Sequence, residues 1–240
     1  MRSWELMKET LLRRRFVLIL HMAWIAIYVF IFIPDLSEMH WQPVLVGFSG
    51  FLLPLFISAG IFGDDVASGR MAMLITKPMR ATELYLWRAA GLAGQGIVHF
   101  AIATVIIVVM HRLTGKSDMR YAAWTVIASF LLFCCCATLS ATVSVVVKRE
   151  FNSAILILGT PVVLVPFAVL MQNWPNYWLT HAFHYFLKYA CPPLELIMSS
   201  AGDTFLTRFL IALQAIGLTA VYAGIGTLLI SARQFPQARE

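Results

Sequence analysis

The sequence predicts an all-α integral membrane protein with six transmembrane helices in a single domain, residues 1–240. Hydrophobic residues make up 60% of the chain and charged residues only 12%, whereas a soluble domain carries about 25% charged residues. Six apolar runs contain no Asp, Glu, Lys or Arg, and each approaches or exceeds the ~20 residues that span a bilayer. Lipid offers backbone groups no hydrogen-bond partner, so each run must be helical. The runs are 16–33, 44–63, 91–110, 122–147, 153–171 and 209–230.

The distribution of basic residues predicts the orientation. If the N-terminus is cytoplasmic, 13 of the 18 Lys and Arg residues fall in inside segments and five in outside segments. Basic residues favour cytoplasmic loops, so both termini are expected in the cytoplasm. This rule also explains the net charge of +6 without a nucleic-acid partner. The run after Arg13–Arg15 is too long for a signal peptide and lacks a cleavage site, so we interpret it as the first span.

The N-terminal arm has the spacing of an amphipathic helix. Trp4, Met7 and Leu11 share one helical face, while the charged residues lie largely elsewhere. Such a helix is typical of segments that lie in the membrane interface, here at the inner side before the first span. The alternative is a disordered basic tail held near anionic headgroups.

Two connecting segments stand out between the spans. The charged segment 64–90 is expected inside and is long enough to present a helix to a soluble partner. The aromatic segment 172–208 is expected outside, as short helices that lie on or dip into the outer leaflet. Pro161 and Pro166 interrupt the fifth run, as in membrane helices that move or face substrate, although packing explains them as well. We predict an outer gate or substrate path from these prolines with Trp174, Tyr177 and Trp178.

Two sequence patterns resemble catalytic motifs. Residues 115–117 read Gly-Lys-Ser, but a phosphate-binding loop needs a glycine at position 110, which is Met. Residues 47–50 read Gly-Phe-Ser-Gly, the pattern around the nucleophile of rhomboid-type intramembrane serine proteases. Straight helices with a rise of about 1.5 Å per residue would leave Ser49 about 10 Å from His99 in depth, and His21 would lie deeper still. A serine–histidine dyad is therefore not expected, and an intramembrane serine protease of the rhomboid type stays only as an alternative function.

Metal-binding patterns are weak. His181 and His184 are spaced i, i+3 and Cys191 follows, so three N or S ligands are available outside. Histidines among interfacial aromatic residues are the alternative, and we assign no metal site. Cys134–Cys136 are consecutive and point about 100° apart on a helix, so we interpret them as buried small hydrophobic residues. Gly91, Gly94 and Gly96 indicate close helix packing.

The source of energy for any transport is not in this chain. Ion-driven carriers place carboxylates or paired charges within their spans, and the six runs contain none. The sequence also has no nucleotide-binding motif of its own. A transporter of this kind must take its energy from elsewhere, most simply from an ATPase on the cytoplasmic side. A non-transporting scaffold for an ATPase and an enzyme that acts on lipid remain as alternatives.

The order of parts resembles the permease subunits of type-2 ABC transporters, which are six-span bacterial exporters. The resemblance covers nearly the whole chain, but its sequence-specific part is confined to the first cytoplasmic loop. In the family this loop runs from an acidic residue through small residues and an apolar patch to a proline and a Glu-Leu-Tyr-like start of the third span. The corresponding residues here are Asp64-Asp65, Ser68-Gly69, Met73-Leu74-Ile75, Lys77-Pro78 and Glu83-Leu84-Tyr85.

The resemblance implies a function and a set of partners. Residues 66–76 would form a coupling helix that docks on an ATP-binding subunit, which binds ATP and Mg²⁺ while this chain binds no cofactor and is not itself an enzyme. Two permeases, here as a homodimer, would work with two ATP-binding subunits in a bacterial cytoplasmic membrane. The substrate would be a lipid, a glycan-lipid or an amphiphilic drug. The implied interface is Asp64, Asp65, Val66, Gly69, Arg70, Met73, Leu74, Lys77 and Glu83.

Overall fold

The structure is a computed structural model that describes residues 3–12, 15–32, 45–67, 80–114, 119–147, 173, 178–193, 196 and 204–232. The elements within these ranges are all helical. Three of the helices are long and apolar enough to cross a membrane, namely Thr82–Val109, Ala123–Val146 and Phe205–Ala232. These properties indicate an all-helical membrane protein. The six-span topology, which needs three further spans, stays a prediction.

The elements follow the predicted apolar runs closely in three places. Helices α2, α6 and α8 cover the first, fourth and sixth runs. The fifth run lies outside the described residues, and so do Pro161, Pro166, Trp174 and Tyr177. In chain order the elements are α1 (Ser3–Leu12), α2 (Arg15–Phe32), a π-helical segment (Leu45–Leu52), α3 (Leu53–Ser58), α4 (Gly63–Ala67), α5 (Ala81–Thr114), α6 (Met119–Val146), α7 (Trp178–Ala190) and α8 (Phe205–Ala232).

The second run is not a single regular α-helix. It begins as the π-helical segment and continues as α3, in which Pro54 is among the first residues. Pro54 has no backbone N–H, so it cannot make the α-helical hydrogen bond to the carbonyl of Gly50. A turn at 59–62 follows, where Gly60 has a φ of 66° that residues with a side chain rarely adopt. The second run is therefore divided into short helical pieces.

The charged segment 64–90 is helical at both of its ends. Residues 64–67 belong to α4, and residues 81–90 are the first three turns of α5. The apolar run began only at Gly91 because Arg88 interrupts it. Arg88 is fully buried and paired with Asp65, so α5 continues through this charged residue and begins before it, at Ala81.

The core lies where α5, α6 and α8 meet, and Tyr85 is at its centre. The Tyr85 ring is fully buried and stacks on Phe62 with ring centroids 5.3 Å apart. Its hydroxyl is 2.7 Å from Thr142 Oγ1, and Thr142 Oγ1 in turn donates to the Tyr222 carbonyl at 2.9 Å. The polar tip of Tyr85 is thus hydrogen-bonded inside an otherwise apolar core, as burial of a hydroxyl requires. Gly226 on α8 provides the space for the ring.

The outward faces of α5 and α8 are apolar. Large hydrophobic side chains are exposed along both helices, among them Ile97, Ile102 and Val105 on α5 and Phe209, Leu213 and Leu228 on α8. A surface of this kind is unfavourable in water but suits contact with lipid or with another membrane helix.

Two glycines on α8 allow a matched test of the core. Gly226→Ala places a methyl group on the Tyr85 ring, whereas the same change at Gly224 meets nothing within 4 Å. We expect Gly226→Ala to cost about 1–3 kcal/mol, because overpacking forces side chains and backbone to shift. Gly224→Ala should be neutral or slightly stabilising. Thermal unfolding of the detergent-solubilised variants measures both, and equal unfolding temperatures would contradict this packing.

Candidate functional site

A buried ion cluster connects the N-terminal helix to the inter-span segment. Arg88 on α5 is fully buried, and its Nη2 donates to Asp65 Oδ2 on α4 at 2.8 Å. Its Nη1 donates to Thr10 Oγ1 on α1 at 2.9 Å and lies 3.4 Å from Glu9 Oε1. Asp65 is also buried, while Glu9 lies partly at the surface. One guanidinium group therefore holds together three separate helices.

Small and polar residues on α5 let α1 approach closely enough to make this cluster. A Cβ at position 91 would lie 2.6 Å from Thr10 Cβ, so glycine is required there. A Cβ at position 94 would lie 3.1 Å from Leu11 Cδ1. Gln95 Nε2 donates to the Thr10 and Leu11 carbonyls at 2.9 and 3.0 Å. These carbonyls belong to the last turn of α1, where carbonyl groups have no hydrogen-bond donor within the helix itself.

The predicted close packing at the α5 glycines is confirmed. Gly91 and Gly94 face α1, and a Cβ at Gly96 would lie 2.8 Å from the Phe133 ring on α6. The helical state of the N-terminal arm is also confirmed. Its packing was predicted only in part, because Leu11 lies against α5 together with Thr10, Leu6 is buried in the core, and Trp4 is left exposed.

The residues of the implied ATPase interface have different positions. Asp65 points inward and its carboxylate is bound by Arg88. Asp64 is half-buried beside it on α4, and Glu83 is exposed in the first turn of α5. The remaining members lie outside the described residues: Gly69, Arg70, Met73, Leu74, Lys77 and the side chain of Val66.

Sequence reasoning missed Arg88, which it counted only as one of the inside charges. A signal was nevertheless present. Arg88, Gly91 and Gln95 are spaced i, i+3 and i+7, so they form a polar and small-residue stripe on one face of an apolar helix. Such a stripe at the start of a span indicates a surface that packs against another polar segment.

A second polar contact lies between the first two predicted spans. His21 Nε2 on α2 and Ser49 Oγ on the π-helical segment are 3.0 Å apart, and the tautomer of the histidine decides which atom donates. The expectation that no serine–histidine contact forms was therefore wrong. The depth estimate assumed straight α-helices that begin at the apolar runs. In the structure the second run is partly π-helical and α5 begins ten residues before Gly91.

His99 on α5 completes this second cluster. Its ring centroid is 5.2 Å from that of His21, with the rings inclined by 30°, and it packs edge-on against Phe100. Only 1% of the residue is exposed. Among the described residues, neither ring nitrogen of His99 has a hydrogen-bond partner. We refer to His21, Ser49 and His99 as the histidine cluster.

The predicted outer segment contains the amphipathic helix α7. Its first residue, Trp178, is exposed, and α7 is attached to α8 by hydrogen bonds from Gln214 to the Lys188 carbonyl and from Tyr222 Oη to the Ala190 carbonyl. Within the described residues of 172–208, α7 is a short helix of the kind predicted for this segment, while its position relative to a membrane stays a prediction.

The cysteines and outer histidines do not form a ligand set. His181 and His184 are exposed on α7, and burial raises the pKa of the Cys191 thiol, which disfavours the thiolate that a metal requires. Within the part of the chain that the structure describes, no group of three or more His, Cys, Asp or Glu side chains is arranged to hold a metal ion. Cys135 and Cys136 are fully buried on α6, as predicted for small hydrophobic residues, and Cys134 is half-buried.

Comparisons with known proteins assign no family. A scan against models of protein families finds no match, and searches of curated proteins and of solved structures find none either. The function is therefore inferred from the residues and their geometry, with the resemblance to type-2 ABC permeases as a hypothesis.

The Arg88–Asp65 pair can be tested by removing one or both charges. Arg88→Met should cost about 3–5 kcal/mol, because it leaves the Asp65 carboxylate buried without its cation. The double variant Arg88→Met/Asp65→Leu should recover most of this loss, since it leaves no stranded charge. The thermal unfolding temperature measures both effects.

Arg112→Met is the matched control, because Arg112 is exposed at the other end of α5. It should change the unfolding temperature little. If the single and the double Arg88 variants unfold at the same temperature, the two charges are not coupled.

Proposed function

We propose that the chain is the permease subunit of a type-2 ABC transporter, driven by a separate ATP-binding subunit. It would export a lipid, a glycan-lipid or an amphiphilic drug across a bacterial cytoplasmic membrane. The observation that carries this proposal is the Arg88 cluster, because it ties the start of the segment between the second and third spans to two other helices.

The cluster supports the proposal by providing a mechanical connection. A partner that pushes on the inter-span segment would act on α4, where Asp65 is bonded to Arg88. Arg88 transmits the force to α5, and Thr10 transmits it to α1. Separating a buried ion pair costs several kcal/mol, so the three helices should move together. Rigid-body movement of this kind is how ATP hydrolysis in a partner would change the access of the spans.

The position of Asp65 changes the expected roles of the interface residues. Asp65 would not contact the ATPase but would anchor α4 to α5. Asp64 and Glu83 remain near the surface on either side of the inter-span segment and would be the acidic residues that meet the partner. Together with Val66, Gly69, Arg70, Met73, Leu74 and Lys77, they would form the docking surface.

The proposed assembly contains two copies of this chain and two ATP-binding subunits. ATP and Mg²⁺ would be bound by the partners, and this chain would bind neither a cofactor nor nucleic acid. The exposed apolar faces of α5 and α8 would contact lipid and the second permease. A closed two-fold arrangement is the commonest symmetry for such a dimer.

The assembly itself is the first test. We expect a reading frame for an ATP-binding subunit beside this chain's gene; co-expression of the two should give a stable membrane complex, and ATP hydrolysis should occur in the complex only. Size-exclusion chromatography with light scattering and a phosphate-release assay measure the two properties. ATP hydrolysis by the isolated chain, or the absence of any such complex, would contradict the proposal.

Asp64 provides a separate test of coupling. Asp64→Lys should reduce the substrate transported per ATP hydrolysed, because it reverses a charge at the proposed docking surface, while Asp64→Asn should have a smaller effect. Neither change should lower the unfolding temperature by more than a few degrees. The equivalent change at Asp65 is unsuitable, because a lysine there would lie against the buried Arg88. Unchanged coupling in Asp64→Lys would remove Asp64 from the interface.

An intramembrane serine hydrolase is the second candidate function, and the 3.0 Å contact between Ser49 and His21 is the observation that favours it. Such a distance fits a nucleophile and its general base. Ser49 is fully buried, however, so a substrate would reach it only after the helices separate. We expect a fluorophosphonate probe to leave the chain unlabelled in native membranes. Labelling that disappears in Ser49→Ala would establish the hydrolase and displace the permease proposal.

A further inference from the structure

The histidine cluster brings ionisable groups into the interior of the predicted membrane region. The six apolar runs contain no Asp, Glu, Lys or Arg, but they do contain histidine, which can also bind and release protons. His21 and His99 lie on different helices, His21 about a third of the way along the first apolar run and His99 near the middle of the third. Ionisable residues inside membrane helices are costly and commonly belong to proton or ion pathways. The cluster therefore needs an explanation beyond packing.

Within the described part of the chain, the surroundings of the two rings are nearly free of charge. The stretches 16–32, 45–58, 91–110 and 122–146 contain no Asp, Glu, Lys or Arg, and their other titratable groups are Tyr28 on α2 and the three thiols of Cys134–Cys136 on α6. Arg15 is six residues from His21, about 9 Å along α2. Arg88, with Asp65 and Glu9, is eleven residues from His99, about 16 Å along α5. Each histidine is thus the nearest group of its kind to the other.

The geometry suits one proton and disfavours two. A protonated His21 can donate its Nε2–H to Ser49 Oγ, which lies 3.0 Å away. A second proton on His99 would place positive charges on two rings whose centroids are 5.2 Å apart. Like charges at 4–6 Å disfavour double protonation. His99 has two ring nitrogens without partners among the described residues, so it can exchange a proton with any water that enters.

We propose that His21, Ser49 and His99 form a proton-binding site within the membrane, which takes up one proton when the contact between α2 and α5 opens to water. A charge between apolar helices is costly unless water or a counter-charge reaches it. The protonated site therefore favours the open arrangement, and the neutral site favours the closed arrangement described above. The proton is a second input to the conformational equilibrium, separate from any force applied through Arg88.

Histidine NMR on the full-length chain in lipid nanodiscs tests the site directly, without any partner protein. Replacing His40, His111, His181 and His184 by Gln leaves only the two signals of the cluster. Between pH 8 and pH 4 we expect the two rings to take up one proton in total. Two protons taken up independently, or none, would overturn the proposal. This measurement requires no change in the cluster itself, so it does not depend on whether cluster variants fold.

Hydrogen–deuterium exchange tests the coupling to opening. After correction for intrinsic rates, backbone amides of residues 45–58 should exchange faster at pH 4 than at pH 7, because protonation favours separation of the helices. The variant His21→Gln/His99→Gln should lose this pH dependence, and His184→Gln on the exposed helix α7 should retain it. A pH dependence that persists in the double variant would overturn the coupling. Failure here leaves the ABC permease proposal standing, since that proposal is tested by complex formation and ATP hydrolysis.

Discussion

The structure depends most on a single electrostatic constraint, the need to match the charge of a fully buried guanidinium group. Arg88 cannot remain in an apolar environment unless its donors have acceptors. Asp65 and Thr10 accept from its two terminal nitrogens and lie on two other helices, and Glu9 adds a partly exposed carboxylate, while the Nε has no partner among the described residues. The need to satisfy one side chain therefore fixes the relative positions of α1, α4 and α5.

The close contact between α1 and α5 follows from the same constraint. Thr10 reaches Arg88 only because position 91 has no side chain, and Gln95 then bonds to the last carbonyls of α1. Small residues and polar contacts therefore act together with the burial of Leu6 in the apolar core to hold α1 against α5.

The buried polar groups of this molecule differ in how completely they are hydrogen-bonded. The Tyr85 and Thr142 hydroxyls are fully hydrogen-bonded and lie in a well-packed core, which suits a structural role. The histidine cluster includes ring nitrogens of His99 that have no partner among the described residues, which is costly in an apolar interior. Groups kept in this state are more readily explained by a function. In the proposed permease, the Tyr85 and Thr142 hydrogen bonds would belong to a rigid frame. The separate proton-binding proposal assigns the histidine cluster a role in regulating the conformation.

The sequence by itself determined the class of the protein and the position of several helices. The apolar runs that became α2, α6 and α8 were located to within a few residues, because length and hydrophobicity are local properties that a bilayer imposes directly. The glycines at 91, 94 and 96 were also correctly interpreted as sites of close packing. The tertiary structure decided which charged and polar residues belong inside. Arg88 and Asp65 are 23 residues apart and His21 and Ser49 are 28 residues apart, so the pairings that allow their burial cannot be read from local spacing.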